Sequence, residues 1–600
     1  MESRPGPSPS HESAVHYRIA APRPAERLLE VGLRFTPPGP GTVRLVFPVW
    51  TPGSYLVREH ERHLQDFRAR DHKGAELPWR KSAKNVWEVE TGSGGPVSLS
   101  YRLYAAELSV RTSHLDSDHA SLEGTATFLC VEGLRERQAV LEIHPPEGWK
   151  VATALEPLPG SGLRFGADDY DHLVDCPVEM GDFTESRFEV RGVPHRFVVC
   201  GRGNWNARRI TEDTAKIVEE AARIFGGLPY PHYTFLCHQV RGGGGGLEHR
   251  NSCSIQVDRN AFASGTAYRD LLDLVAHEHF HVWNGKSIHP AAFDRIDYGG
   301  ECYTSLLWIF EGFTTYYGWL LPMRSGLVAV EAWLDTLARR LTDRARTPGR
   351  ARMSLAEAGF DAWIKYYRPN EHAPNAQVSY YSEGALAALV LDLEIRRLTE
   401  GARSLDTVMA HLEREHGRGR PGLGEDGLPR VLEAVAGTDL EDLHRELAHD
   451  RADPDYAARL RWVGLDVVRE PPETRETADG KRPAGFLGVT LTRDRDRNVL
   501  GRILEGTPAA EAGLQSGDEI LAVEGVRLEP SSLRDRISAC APGEPVRLAL
   551  FRRDVLREVT VTPGADPFPR YRLRAHPEAG EAERERFHSW CGATLPEKEE

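Results

Sequence analysis

The sequence predicts a multidomain α+β protein with an all-β amino-terminal domain, a mainly helical middle and a small carboxy-terminal domain. Three observations carry this. The chain has 600 residues, more than one hydrophobic core organises. Its apolar pattern has period two up to about residue 200 and turns helical near Thr211. A stretch rich in Pro, Glu, Thr, Asp and Gly, Pro471 to Gly485, then precedes a last block of strand-like runs.

In chain order, residues 1–14 are expected to be disordered and 15–205 to form the β domain. Leu29 to Phe35, Val43 to Phe47 and Val97 to Leu103 alternate apolar and polar residues as half-buried strands do. Residues 206–470 form the helical domain. Thr211-Glu212-Asp213-Thr214 reads as a helix start, and further helices are expected over Tyr268 to Trp283, Tyr303 to Leu320 and Gly384 to Thr399, the last stopped by Gly401. Residues 471–484 read as a linker, 485–565 as the small domain and 566–600 as a tail.

The chain is 40% apolar and 27% charged, an ordinary globular composition. A net charge of -14 argues against nucleic acid as the main partner, because phosphate binding needs a basic surface. The first residues, Met1 to Pro7, lack the apolar core of a signal peptide, and no later stretch approaches the roughly 18 apolar residues of a membrane span. A cytoplasmic location with no membrane partner is expected. The eight cysteines are scattered without a CxxC pair and read as reduced thiols.

The chemistry concentrates in Leu274 to Trp283, which contains the pattern H-E-x-x-H. Residues four apart share a helix face, so His277 and His281 are placed to grip one tetrahedral ion while Glu278 points at its open position. Leu271, Leu272, Leu274 and Val275 make the approach to the motif apolar, as for a helix lining a cleft. His279 points to another face and is expected to be structural or to act through its neighbours. Two acids compete as third ligand. On one helix Glu301 and Glu311 would stand about 80° apart and about 15 Å along the axis, so only one of them serves. Glu301 follows Gly299-Gly300 and reads as a helix-start acid. Glu311 lies in the apolar run Leu306 to Phe313, where a charge needs a cation, and is favoured. Two imidazoles, one carboxylate and an open position select zinc, one ion per chain.

Several segments resemble aminopeptidases of the gluzincin class, and most closely the glycyl aminopeptidase family with a C-terminal PDZ domain. They are Trp308-x-x-Glu311-Gly312-Phe313, His281-x-Trp283-x-Gly285, Gly245-Gly246-Leu247-Glu248-His249 and Phe47 to Tyr55. The likeness spans about residues 15 to 565. It implies a thermolysin-like catalytic domain and a peptide hydrolase acting on peptides with free N-termini, with a preference for Gly and Ala. It also implies that Glu248, beside Gly245 and Gly246, binds the substrate's α-amino group, although Leu247 and His249 replace the Met and Asn of the wider class. Tyr381 matches the tyrosine that donates to the oxyanion, with Tyr380 the adjacent alternative. Glu311 lies thirty residues beyond His281, farther than in the wider class, and Glu301 stays a rival at the spacing of thermolysin-type endopeptidases.

Phe486 to Leu491, Gly506 to Leu514 and Gly517 to Val523 closely resemble a PDZ domain. In such domains a loop, here Phe486-Leu487-Gly488-Val489, receives the C-terminal carboxylate of a peptide or protein tail. Two other functions compete with an aminopeptidase. One is an endopeptidase, favoured if Glu301 is the ligand and Glu248 faces solvent. The other is a non-catalytic PDZ scaffold, against which the intact set His277, Glu278, His281, Glu311 and Tyr381 speaks.

Overall fold

A computed structural model describes residues 14–597 except 93, 161, 472, 478, 479 and 495. The expectation of disorder for residues 1–14 thus falls almost wholly outside the described residues. The chain forms two compact units, Met1–Tyr303 with Leu412–Gly424, and Thr304–His411 with Glu425–Glu600.

In the first unit a seven-stranded sheet runs Glu156–Pro157, Leu163–Ala167, Ala139–His144, Val15–Ala20, Leu28–Phe35, Val97–Tyr104, Leu64–Asp71. The expected alternation sets its inner face. Leu29, Val31, Leu33 and Phe35 stand opposite Leu103, Tyr101, Leu99 and Val97, and all eight are buried. Each contributes roughly 1.5–3 kcal/mol by leaving water. Two four-stranded sheets adjoin it, one holding Thr42–Val46 and Val86–Glu90, the other His119–Leu122 and Val178–Gly181.

A five-stranded sheet positions the motif helix, and it crosses the expected boundary at residue 205. Thr184–Val190 and Val193–Gly201 join Tyr233–Val240, Ser252–Asp258 and Gly246–Glu248, and Val193–Gly201 lies parallel to Tyr233–Val240. The parallel pairing needs a crossover, supplied by the helix Ala207–Phe225. That helix begins four residues before Thr211, because the Asn206 side chain accepts from the Arg209 amide at its first turn.

In the second unit the expected helix from Tyr303 is replaced by an irregular start, a π-helical stretch Trp308–Phe313 and the helix Thr314–Arg324. The Glu425 carboxylate accepts from the Ser305 amide at 2.9 Å and the Thr304 hydroxyl at 2.7 Å, holding that start outside the helix. The helix Ser382–Leu398 passes over the π stretch where two glycines meet. A Cβ on Gly312 would fall 2.5 Å from Gly384 Cα. The expected linker and tail carry elements of their own. Thr474–Thr477 pairs with Gly480–Pro483 as a hairpin, and Arg570–Ala575 pairs with Leu465–Glu470. The helix Glu581–Cys591 buries Phe587, Trp590 and Cys591. Among the described residues no helix is long and apolar enough to cross a membrane.

The glycine crossing is testable by unfolding. Gly312→Ala is expected to cost about 1–3 kcal/mol in urea titrations, because backbone must move to admit the methyl. Gly265→Ala, at a helix start with open space around it, is expected to be neutral or to stabilise by up to about 1 kcal/mol.

Candidate active site

The motif helix spans Gly265–Phe280, with the Ser264 side chain accepting from the Ala267 amide to fix its start. Leu271, Leu272 and Val275 are buried, which turns the following residues toward the interior. His277 Nε2 and His281 Nε2 converge to 3.0 Å. Two nitrogens bound to one tetrahedral zinc stand about 3.3 Å apart, so the pair fits such an ion. At the far side of the His281 ring, Nδ1 lies 2.8 Å from the Asn284 carbonyl, the arrangement in which Nδ1 donates and Nε2 presents its lone pair. Gly285 makes the turn possible, at φ +137° and against the same ring.

Glu278 is 4% exposed and Glu248 7%. Each offers a carboxylate oxygen that lies with a His281 ring nitrogen in one group whose members are within 4.8 Å of one another. Close approach of backbone shapes both acids. A Cβ on Gly246 would overlap the Glu278 carboxylate, and one on Gly53 would overlap that of Glu248. Gly53 belongs to the segment Phe47 to Tyr55, in which Trp50 Nε1 donates to the Asp297 carbonyl at 2.7 Å and the Val49 amide to that of Tyr298 at 2.9 Å. The β domain therefore supplies one wall beside Glu248. Gly245, at φ +103°, turns the chain into the edge strand Gly246–Glu248, whose Glu248 pairs with Cys253.

Behind Glu248 lies a network for which the sequence offered no signal. His249 Nδ1 is 3.1 Å from Asp175 Oδ1, and Lys286 Nζ donates to the same oxygen at 2.7 Å. Burial acts to raise the Asp175 pKa, but Lys286 and His249 outweigh it and hold the carboxyl well below its ordinary value. Glu123, beside His249 at 3.9 Å, is pushed up by burial. The His249 that departs from the wider class thus ties the Glu248 strand to Asp175.

His279 is structural. Its Nε2 lies 2.7 Å from the Tyr230 hydroxyl, which lies 2.9 Å from His195 Nε2, and the rings of Tyr233 and Trp283 pack on it. Burial lowers its pKa well below the ordinary value.

In the second unit Glu311 is 2% exposed, on the π-helical stretch. A π turn widens the helix locally and is frequent at functional sites. Tyr381 precedes the helix Ser382–Leu398 and stacks on Tyr366 at 5.3 Å. Burial, and then the Glu311 charge, push its phenol well above its ordinary pKa, so it keeps its proton to donate. Tyr380 is fully buried between the rings of Tyr366 and Tyr381. Glu301 is exposed in an irregular segment of the first unit rather than at a helix start. Phe486, Leu487, Gly488 and Val489 line a groove of about 650 Å³ with Leu533 and Ile537. The Phe486 amide donates to the Gly564 carbonyl, while no backbone carbonyl among the described residues accepts from Leu487 or Gly488.

Comparison with known proteins adds the lineage. Residues 16–182 match the model of the peptidase M61 N-terminal domain, 270–387 that of M61 glycyl aminopeptidase and 485–562 that of the PDZ domain. A solved structure, an aminopeptidase N family protein from Idiomarina loihiensis, is 31% identical. It covers 96% of this chain and 100% of its own, with a TM-score of 0.90. Curated relatives match in part. A putative serine protease HhoB from Synechocystis is 32% identical over 109 residues, 18% of this chain. A probable periplasmic serine endoprotease DegP-like from Halomonas elongata is 33% identical over 129 residues, 20% of this chain. The chain spans about a quarter of the length of these two.

Converging imidazoles with a buried carboxylate beside them, on a chain that follows an aminopeptidase structure from end to end, define a metallo-aminopeptidase, a peptide hydrolase. The matched ranges take in the β domain, the motif helix and the PDZ domain. The chain belongs to the M61 glycyl aminopeptidase family.

The buried bridge from His195 through Tyr230 to His279 predicts a pH dependence. Burial lowers the His195 pKa from 6.5 to about 4, outweighing its hydrogen bond to the Val193 carbonyl. As pH falls below about 6.5 the unfolded chain takes up a proton that the folded chain refuses. Stability from this group is therefore complete above that pH and is lost as pH falls toward 4. Urea midpoints between pH 7.5 and 4.5 are expected to fall more steeply in the wild type than in His195→Gln, which does not titrate.

Proposed function

We propose that this chain is a zinc-dependent aminopeptidase that removes N-terminal residues from peptides, with preference for Gly and Ala. His277, His281 and Glu311 are the ligands of one catalytic zinc, Glu278 is the general base, Tyr381 the oxyanion donor and Glu248 the acceptor of the substrate's α-ammonium. The observation that carries the reading is the buried Glu248 carboxylate grouped with Glu278 and His281. A buried carboxylate beside the reacting groups favours a cationic end and disfavours a chain running through, as an endopeptidase needs. The exposure of Glu301 points the same way. Glu311 is favoured as third ligand because it is a carboxylate buried among Trp308, Ile309, Phe310 and Phe313.

When bound, zinc polarises the scissile carbonyl and lowers the pKa of water toward neutrality. Glu278 accepts the proton of the attacking water and returns it to the leaving amine. The Tyr381 hydroxyl donates to the carbonyl oxygen as it gains charge, a contact worth about 3 kcal/mol of barrier in comparable sites. Glu248 accepts from the ammonium, with Gly245 and Gly246 leaving room for the substrate backbone. The small-residue preference rests on family membership alone.

The PDZ groove is proposed to hold the C-terminal tails of peptides or proteins, with the Leu487 and Gly488 amides facing the terminal carboxylate. A cytoplasmic location is proposed on the eight free cysteines, seven of them buried. The scaffold reading has no observation in its favour.

Five outcomes test the reading. Gly- and Ala-anilides are expected to be cleaved and their N-acetylated forms left intact; equal cleavage of both would defeat the exopeptidase assignment. Glu278→Gln is expected to lower kcat by about 10²–10⁴-fold in the same assay. Glu248→Gln is expected to lower kcat/KM for free-amine substrates by about 10–100-fold, the worth of a hydrogen bond to a charged group. Gly53→Ala, which crowds Glu248, should shift kcat/KM in the same direction. Chelation is expected to abolish turnover and zinc to restore it.

A further inference from the structure

Away from the motif helix, three strands of the first unit bring His119, Glu179 and His238 together. Each offers one ligand atom, and these atoms lie within 4.8 Å of one another. His119 opens the strand His119–Leu122, Glu179 lies in its neighbour Val178–Gly181, and His238 lies in Tyr233–Val240 of the five-stranded sheet. Glu179 is 0% exposed and His238 2%.

The contacts within this group leave donor atoms over. Glu179 Oε2 lies 2.8 Å from His238 Nε2. Its other oxygen, Oε1, is buried and has no hydrogen-bond partner among the described residues, and the same holds for His119 Nε2 and His238 Nδ1. A proton shared between His238 and Glu179 satisfies one atom of each, the buried Cys200 thiol is a further neighbour of the Glu179 carboxylate, and His119 Nε2 is left without a hydrogen-bond partner among the described residues. One cation engages both imidazoles and the carboxylate together.

The surroundings are built for such a role. His119 Nδ1 lies 3.5 Å from Asp116 Oδ1, and Asp116 Oδ2 lies 3.0 Å from His114 Nε2. A carboxylate behind the second nitrogen is the partner that metal-bound imidazoles keep, because it orients the ring and fixes its tautomer. Gly181 faces His119 across the strand pair at φ +148°, and a Cβ there would fall 2.7 Å from His119 Cβ. Only glycine allows the two strands to approach this closely at His119.

We propose that His119, Glu179 and His238 bind a second divalent transition-metal ion of zinc type, which staples the four-stranded sheet of the β domain to the five-stranded sheet that carries the motif helix. Two imidazoles and one carboxylate are borderline donors that select zinc over magnesium or calcium. Held between two sheets by two buried ligands and one part-buried one, in a group that does not include Glu278, the ion is structural. The proposal does not depend on the catalytic assignment.

The test counts metal in the full chain after zinc loading and desalting. The wild type is expected to retain two zinc ions per chain and the His277→Ala/His281→Ala variant one. A double variant that retains none overturns the proposal. Adding Glu179→Gln to it is expected to remove the remaining ion, and retention overturns the assignment. Should the triple variant fail to fold, zinc-edge absorption on the folded double variant decides. A first shell of nitrogen and oxygen with two imidazoles, at about 2.0–2.2 Å, supports the site, and a sulfur shell or one of oxygen alone overturns it.

Discussion

A carboxylate taken out of water must be given a proton, donors or a cation, and that requirement organises the first unit around the motif helix. Asp175 is answered by Lys286 and His249, and one oxygen of Glu179 by His238. Glu123 is answered only in part, and burial raises its pKa. Glu248 and Glu278 are buried in the same neighbourhood and share it with His281. A set of acids held close together is costly in a bare fold and becomes favourable where a metal and an ammonium are bound. The second unit holds its own buried carboxylate, Glu311, on a local widening of a helix. The fold thus takes Glu248, Glu278 and Glu311 out of water at the positions where cations are proposed to bind.

Glycines decide how near those acids come to backbone. Gly53 and Gly246 present bare Cα atoms to the Glu248 and Glu278 carboxylates, and Gly312 meets Gly384 where two helices cross. These positions lie in the segments whose likeness to aminopeptidases is visible in the sequence, Phe47 to Tyr55, Gly245 to His249 and Trp308 to Phe313. Glycine at these positions has a common physical reason, since a side chain at any of them would displace a charge or a helix.

The sequence revealed most where periodicity or motif spacing is local. The strands Leu28–Phe35 and Val97–Tyr104 follow from alternation, and the H-E-x-x-H helix from its apolar approach and fixed spacing. What stayed hidden depends on partners far away in the chain. Asp175 and Lys286 are separated by more than a hundred residues and meet only in the fold. The irregular start before the π stretch is held by Glu425, which no local pattern around Tyr303 announces. Composition also misled. Residues 471–484 and 566–600 are polar enough to read as linker and tail, yet strand Arg570–Ala575 pairs with Leu465–Glu470, and its backbone bonds do not depend on apolar side chains.

The sheet that crosses the expected boundary explains why the β domain is more than an attachment. Thr184–Val190 and Val193–Gly201 are antiparallel partners, and the second of them is the parallel neighbour of Tyr233–Val240. Cutting the chain at the expected boundary, residue 205, would take Thr184–Val190 and Val193–Gly201 away and expose the edge of a sheet on which the Tyr230, Tyr233 and His279 cluster rests. That cluster sets the rotation of the motif helix, because His279 is anchored on the face opposite to His277 and His281. The orientation of the His277 and His281 imidazoles is therefore fixed from behind, by a histidine on the other side of the helix. A helix held only by its apolar stripe could slide or rotate by small amounts, but a buried hydrogen bond has one geometry. The same logic applies to Trp50, whose indole donates to the Asp297 carbonyl and so registers Gly53 against Glu248. Polar contacts between buried groups do in this fold what apolar packing alone does less well, which is to place reactive side chains to within a fraction of an ångström.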